Sequence, residues 1–532
     1  MIKINIKFLK FFKKITCISL VLLCIPIHAK IPNSDIAKAK DLFEKGNKAF
    51  CSQQFEQAIN YYKQILTITD KSTSIYFNIG KSYLSLRKID KAIKYFNKAV
   101  SINDNHYKGH QALSLIYMKQ KQYESALKHL KKAVLLDPKD FISHLNTASC
   151  FTHLQKYTLA ETYLKGIIPA LFPGKKELVY NLAYVLKLQG KIEEAIPYYL
   201  QAIQLDPKLE VAYLGLAKSY LATGNFLKGW NYFEWRFLNA ENHQNKNFYQ
   251  HLNPSDLKNR IVFLKPEWGL GDMMHFIRYA QLVKEAGATV YVRMHKPLEK
   301  LFSLCPYIDK IISDGEKIPP FHVAIPIMSL PLIFKTTLET IPTNIPYLYA
   351  DEKLIALWKE KLAPDKNFKV GICWHAKPIF LEENYLTRRS VPLKDFAILS
   401  EIDNISFYSL QKIYGIDELE DIPKNFKVHT FGPDFDNTHG RFMDSAALIQ
   451  NLDLIITADT SIVHLAGALG KPVWILTPHV AEWRWLQLIE TTPWYPKARL
   501  FRQQKPIDWK HVMLEVKKEL ENLILNAKEK NE

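Results

Sequence analysis

From residue 36 to residue 237, apolar and small residues recur with a helical period, in short segments that come in pairs. Beyond residue 258 the pattern changes. Apolar runs such as "RIVFLK", "TVYVRM" and "LDLIITA" alternate with stretches of helical periodicity such as "MMHFIRYAQLVKEAG". The first pattern predicts pairs of antiparallel helices, and the second predicts β-α-β units with parallel sheets. A chain of 532 residues exceeds one ordinary core, so several domains are expected.

The helical half is periodic on a longer scale. Alanines stand at Ala58, Ala92, Ala126, Ala160 and Ala195, with Gly229 in the next place. Four residues after each comes Tyr62, Phe96, Leu130, Leu164, Tyr199 or Phe233. Gly46, Gly80, Ser114, Ala148, Ala183 and Ala217 keep the same upstream offset. Small residues let two helices approach closely, and the large one fills the gap to the next pair. Each pair stays incomplete until a neighbour stacks on it, so a right-handed superhelix with a concave face is expected over 36–237. The pattern resembles the tetratricopeptide repeat, with five good units and a sixth, degenerate one. That resemblance implies a protein or peptide partner. Tyr76, Tyr83, Tyr117 and His110 are expected to pack. The last unit, "GNFLKGWNYFEWRF", adds Trp230 and Trp235 and reads as a terminal unit that rests on something else.

The second half reads as two Rossmann-like lobes, 256–350 and 366–528, with a cleft between them. In "LDLIITADTSIVHLAGALGKPVWIL" an apolar strand ends at Ala458, Asp459, Thr460 and Ser461 make a turn, and a small-residue helix follows. Free amide hydrogens and the helix dipole at that turn would hold an anion such as a pyrophosphate. The alternative is an ordinary helix cap. "WGLGD" stands at the matching end of the first lobe.

Together "GLGDMMHFIRYAQLV", "VGICWHAKP", "RRSVPLKDF", "FYSLQ" and "ADTSIVHLAGALGKPVWIL" resemble the heptosyltransferase-like glycosyltransferases of family nine, over residues 258–525. The resemblance implies an α/β two-lobed glycosyltransferase-B fold behind the α-solenoid. It also implies an enzyme using a nucleotide-diphosphate sugar as substrate, with no separate cofactor. Asp272 matches the proposed base, which would deprotonate an acceptor hydroxyl in an inverting transfer. Its alternative role is an N-cap for a helix starting near Met273. Thr460, Ser461 and His464 match the donor-phosphate turn, although His464 could be an ordinary polar residue of the first helical turn. Asp459 would order the turn or bind a sugar hydroxyl. Lys377, Arg388 or Arg389 would supply a cation for the leaving diphosphate, and Arg484 could touch the donor. Gly269, Gly271, His275, Trp374 and His375 are candidate cleft-lining residues, with packing as the alternative for Trp374. Near Arg484, aromatic packing between the lobes is the other reading of the tryptophans. Ser461 departs from the glycine usual in the family, which puts heptose specificity in doubt. No metal requirement is expected.

Composition modifies this picture in places. The formal charge of +18 is uneven: residues 1–30 carry +6, residues 31–240 carry +12, and residues 241–532 balance at 36 basic and 36 acidic. The basic half is either lysine-coated solvated helix or a surface for an acidic partner. Nucleic acid is not expected, since neither a base-stacking motif nor an arginine stripe is present. The six cysteines lack metal-like or redox-like spacing, so neither a disulfide framework nor a zinc site is expected. Residues 1–30 resemble a signal peptide or membrane anchor: five lysines in "MIKINIKFLKFFKK", a 13-residue apolar run, then Ala29. Export to the periplasm or membrane association follows, with tethering at the cytoplasmic face as one form. Export would separate a transferase from its donor. A second reading therefore stands beside the first: a non-catalytic repeat scaffold with a degenerate transferase-like domain.

Overall fold

The computed structural model describes residues 32–237, 249, 251–377, 389–487 and 489–529. The leader, most of the linker after residue 237, and Arg388 lie outside them. The chain divides into two compact units. One comprises the described part of Met1–Gln189 with Pro197–Pro207, and the other comprises Gly190–Ile196 with Lys208–Glu532.

The first unit is a helical solenoid. Its paired helices run Asn33–Cys51 and Phe55–Leu66, Thr73–Ser85 and Ile89–Ile102, Tyr107–Lys119 and Tyr123–Leu136, then Phe141–His153 and Tyr157–Leu171. Lys176–Leu188 opens the next pair. The periodic alanines Ala58, Ala92, Ala126 and Ala160 are fully buried. A β-carbon on Gly46 would meet the Tyr62 ring at 2.6 Å, and one on Gly80 would meet Phe96 at 2.7 Å. Glycine at these positions is thus required by the aromatic sixteen places on. Each first helix ends in a left-handed residue: Gln53, Arg87, Lys121, Gln155, Gly190 and Gly224. Tyr83 and His110 are buried, and Tyr117 stacks on His129, as packing roles require.

After its Gly190–Ile196 segment the second unit continues with the helices Glu210–Ala222 and Phe226–Phe233. Two wholly parallel sheets follow. The first has order β3-β2-β1-β4, from β1 (Ile261–Lys265), β2 (Thr289–Arg293), β3 (Lys310–Ile312) and β4 (Val323–Pro326). The second has order β10-β9-β8-β5-β6-β7. Its strands are β5 (Phe368–Cys373), β6 (Ile405–Ser409), β7 (Val428–His429), β8 (Leu454–Ala458), β9 (Val473–Thr477) and β10 (Ala498–Arg502). β1, β2 and β8 fall on the apolar runs "RIVFLK", "TVYVRM" and "LDLIITA", whereas β10, "ARLFR", interleaves arginines with its apolar residues.

One core joins both sheets to the last helix pair. Phe226 stacks on Trp494 at 5.7 Å, and Trp230 meets Trp483 edge-on at 5.3 Å. The terminal unit's extra tryptophan therefore does rest on the α/β portion. A separate cluster covers the other face of the second sheet, where Val370, Ile372 and Leu454 pack with Val512, Val516 and Leu520 of the Trp509–Glu529 helix. Among the described residues no helix is long and apolar enough to cross a membrane.

Candidate functional site

Strand order locates the crevices. The chain leaves β1 to build β2 and β3 on one side, then returns to place β4 on the other. It does the same around β5, with β6 and β7 on one side and β8 to β10 on the other. Ligands in such sheets sit at the carboxyl ends of strands beside this reversal. The loop after β1 is "PEWGLGD". The loops after β5 and β8 carry Trp374–Lys377 and Asp459–Ser461. Both expected motifs thus stand at switch points.

The two loops abut. A β-carbon on Gly271 would lie 2.9 Å from His464 Cδ2 and 3.4 Å from Ser461 Cα. Glycine there lets the start of the Leu270–Phe276 helix approach the start of the Ser461–Ala468 helix. The first of these helices begins at Leu270, earlier than expected, and Ile277 separates it from Arg278–Glu285. Asp272 is consequently the third helical residue. One carboxylate oxygen accepts from the Gly269 amide at 3.0 Å, and the other pairs with Arg484 Nη2. Arg484 also bonds Glu482 at 2.9 Å and lies 4.6 Å over the Trp483 ring. The expected alternatives for Arg484 are therefore combined: it packs among aromatics and faces the candidate base. Asp272 keeps 21% of its side chain exposed, so the pair borders solvent.

Around Ser461 the helix-cap alternative is seen. Thr460 Oγ1 accepts from the Ile462 amide at 3.2 Å, so this hydroxyl caps its helix. His464 is buried and shares Tyr495 Oη through Nδ1 at 2.8 Å. Burial, then the cations Arg484, Arg278 and Arg389, hold its pKa well below the ordinary value, so it brings no charge to a phosphate. Asp459 is also buried. Its Oδ2 has no hydrogen bond and lies 3.9 Å from Arg389 Nη1. Burial raises its pKa, with Arg389 opposing. Arg389 also donates to the Asp459 carbonyl at 3.4 Å. Lys377 is exposed at the edge of the described loop.

Two candidate cleft-lining residues are core residues. His275 is fully buried beside Trp494, with Nδ1 3.1 Å from Tyr495 Oη; burial, then Arg278, keeps it neutral. Trp374 is fully buried and donates to the Gly415 carbonyl at 2.9 Å. His375 is half-buried, and its amide donates to Gln411 Oε1 at 2.9 Å. Gln411 also accepts from the Trp374 amide at 3.1 Å, tying the ends of β5 and β6 together. Gly269 is exposed and Gly271 half-buried, both at the rim.

Sequence reasoning missed the seam beneath this rim. Tyr495 Oη meets His464, His275 and, at 3.3 Å, Tyr347 Oη. Arg278, fully buried, donates to Tyr347 Oη at 2.8 Å and to the Trp494 carbonyl at 2.9 Å. Neutral histidines suit this place, because a proton on either would add charge beside a buried guanidinium. Arg236 is a second buried cation. It grips Glu267 with two bonds, 2.8 and 3.0 Å, and Glu234 at 2.6 Å. It anchors the glycine loop to the terminal repeat unit. Among the described residues no group of three or more His, Cys, Asp or Glu is placed to share a metal ion.

Comparisons with known proteins bear on the first half. A tetratricopeptide-repeat family model matches residues 74–106 and 178–209, and a second one matches 107–140. The solenoid is built of tetratricopeptide repeats. The chain is 25% identical over 382 residues to protein FlbA of Caulobacter vibrioides, a match covering 64% of this chain and 61% of that protein. The chain thus spans less than two thirds of that relative's length. Among solved structures, a MamA crystal structure is 23% identical, covering 32% of this chain and 96% of its own, with a TM-score of 0.29. YrrB, described as a TPR protein with an unusual peptide-binding site, is 16% identical, covering 36% and 98%, with a TM-score of 0.31.

Proposed function

We propose that the α/β lobes form a glycosyltransferase. It moves a sugar from a nucleotide-diphosphate donor to an acceptor by a metal-independent, inverting route. The carrying observation is the junction of the two switch-point loops, which brings Asp272, Arg484 and the Ser461 helix start into one cluster. In this reading the Ser461 amide end and the guanidinium of Arg484 or Arg389 hold the diphosphate. Asp272 takes the acceptor's proton once Arg484 turns from the carboxylate to the phosphate. The tetratricopeptide repeats support protein-interaction scaffolding, and here they would select the partner or acceptor. Membrane association through the leader fits the same scheme if the enzyme faces the cytoplasm.

Thermal denaturation with a panel of nucleoside diphosphates tests the reading. A ligand at a hundred times its Kd stabilises the folded state by about 2.7 kcal/mol. No shift with any of them would reject donor binding.

One specific observation favours the second reading, a repeat scaffold with a degenerate transferase-like domain. Both Asp272 oxygens, the Thr460 hydroxyl and His464 Nδ1 are already engaged by the protein itself.

A further inference from the structure

Eight of the ten tryptophans are buried, and Trp235 is stacked on Tyr213 at 3.7 Å; Trp268 is 44% exposed. Its backbone is left-handed, φ +54°, a region that costs a bulky L residue about 1–2 kcal/mol. The conformation is imposed from both sides. Arg236 clamps the preceding Glu267, and the Trp268 carbonyl accepts from His295 Nε2 at 3.1 Å. The indole is therefore a fixed face, held out to solvent four residues before Asp272.

One charged group reaches over it, and others follow from that one. Lys218, from the terminal repeat helix Glu210–Ala222, places Nζ over the ring, 5.5 Å from its centroid, and 3.9 Å from Glu482 Oε1. Glu482 shares Arg484 with Asp272. Phe233 backs the indole edge-on at 5.3 Å. A pyranose has an apolar C–H face and a rim of hydroxyls. The face suits the indole, and the hydroxyls suit an ammonium and two carboxylates. An extended peptide draws affinity from main-chain hydrogen bonds along a strand edge, whereas this rim offers side chains.

We infer that Trp268 and Lys218 form an acceptor subsite that stacks a sugar ring and presents one of its hydroxyls to Asp272. The inference rests on the transfer reading and narrows the acceptor to a glycan. The test is isothermal titration calorimetry of the full chain with neutral tetrasaccharides of glucose, galactose and N-acetylglucosamine, and with a Ser/Thr-rich peptide. At least one tetrasaccharide should bind. Trp268→Ala should weaken its binding by about tenfold or more, and Lys218→Ala by a smaller factor. Trp268→Tyr should restore most of the affinity, which a merely structural role for the indole would not predict. Because Trp268 is exposed, Trp268→Ala and Trp268→Tyr should keep the wild-type Tm, and Trp268→Gly, which removes the indole together with the backbone strain, should match or exceed it. No tetrasaccharide binding, binding unaffected by Trp268→Ala, or binding of the peptide alone would overturn the subsite. Nucleoside-diphosphate shifts separate the two claims. Shifts without saccharide binding sink the subsite and spare transfer; saccharide binding at Trp268 without any shift does the reverse.

Discussion

Gly467→Ala puts the buried seam to a quantitative test. Gly467 lies in the Ser461–Ala468 helix, and a β-carbon there would sit 2.6 Å from Tyr495 Cγ and 2.7 Å from Cε1. The ring cannot retreat freely, because it is fully buried and its hydroxyl meets His464, His275 and Tyr347. Overpacking of this kind costs roughly 1–3 kcal/mol. Straining two hydrogen bonds adds roughly 0.5–1.5 kcal/mol each. Alanine returns about 1 kcal/mol of helix propensity. The balance is a loss of about 3 kcal/mol, or about 4 °C in a unit of this size at roughly 2.1 cal/mol/K of unfolding entropy per residue. Gly166→Ala supplies the opposite sign: it lies inside the Tyr157–Leu171 helix with nothing within 4 Å of its would-be β-carbon. That change should stabilise the solenoid by about 0.5–1 kcal/mol. The assay is thermal and denaturant unfolding followed by tryptophan fluorescence and circular dichroism. If Gly467→Ala matched Gly166→Ala in sign, the seam would not be packed as described.

Three further outcomes are expected. Arg236→Met leaves Glu234 and Glu267 buried without their cation and should cost about 3–5 kcal/mol, read as a lower Tm; a wild-type Tm would contradict the clamp. Arg484→Met should weaken nucleoside-diphosphate binding by about tenfold or more in titration calorimetry, whereas unchanged affinity would remove Arg484 from the donor site. Burial, the first cause in each case, lowers His106, His129 and His153 of the solenoid to about 4. The unfolded chain then takes up protons that the folded one refuses, so stability is full above about pH 6.5 and falls toward pH 4. A solenoid Tm that stays flat from pH 7 to pH 5 would contradict their neutral burial.

Legibility in the sequence followed the range of the forces involved. The 34-residue spacing and the apolar strands are local patterns, and both reappear as repeats and parallel sheets. The switch-point positions of "WGLGD" and "ADTS" could be anticipated because glycine and small polar residues punctuate strand ends. The seam could not. Arg278, Tyr347, Gly467 and Tyr495 are far apart in the chain, and nothing local marks a buried arginine whose partners are phenols and carbonyls. The same holds for His275, which reads as polar and therefore as cleft-lining, but which lies among Trp494, Phe276 and Tyr495. The left-handed turns at Gln53, Arg87, Lys121 and Gln155 also escaped notice, because the fold places ordinary side chains where glycine would signal the turn.

The central claim is that two abutting loops hold a donor's diphosphate next to a base. Paired measurement of donor binding and donor turnover in Asp272→Ala tests it most directly. Arg484 keeps Glu482 as a partner in this variant, so binding should persist at or above wild-type affinity while turnover disappears. Turnover that survives, or binding that vanishes together with it, would contradict the account.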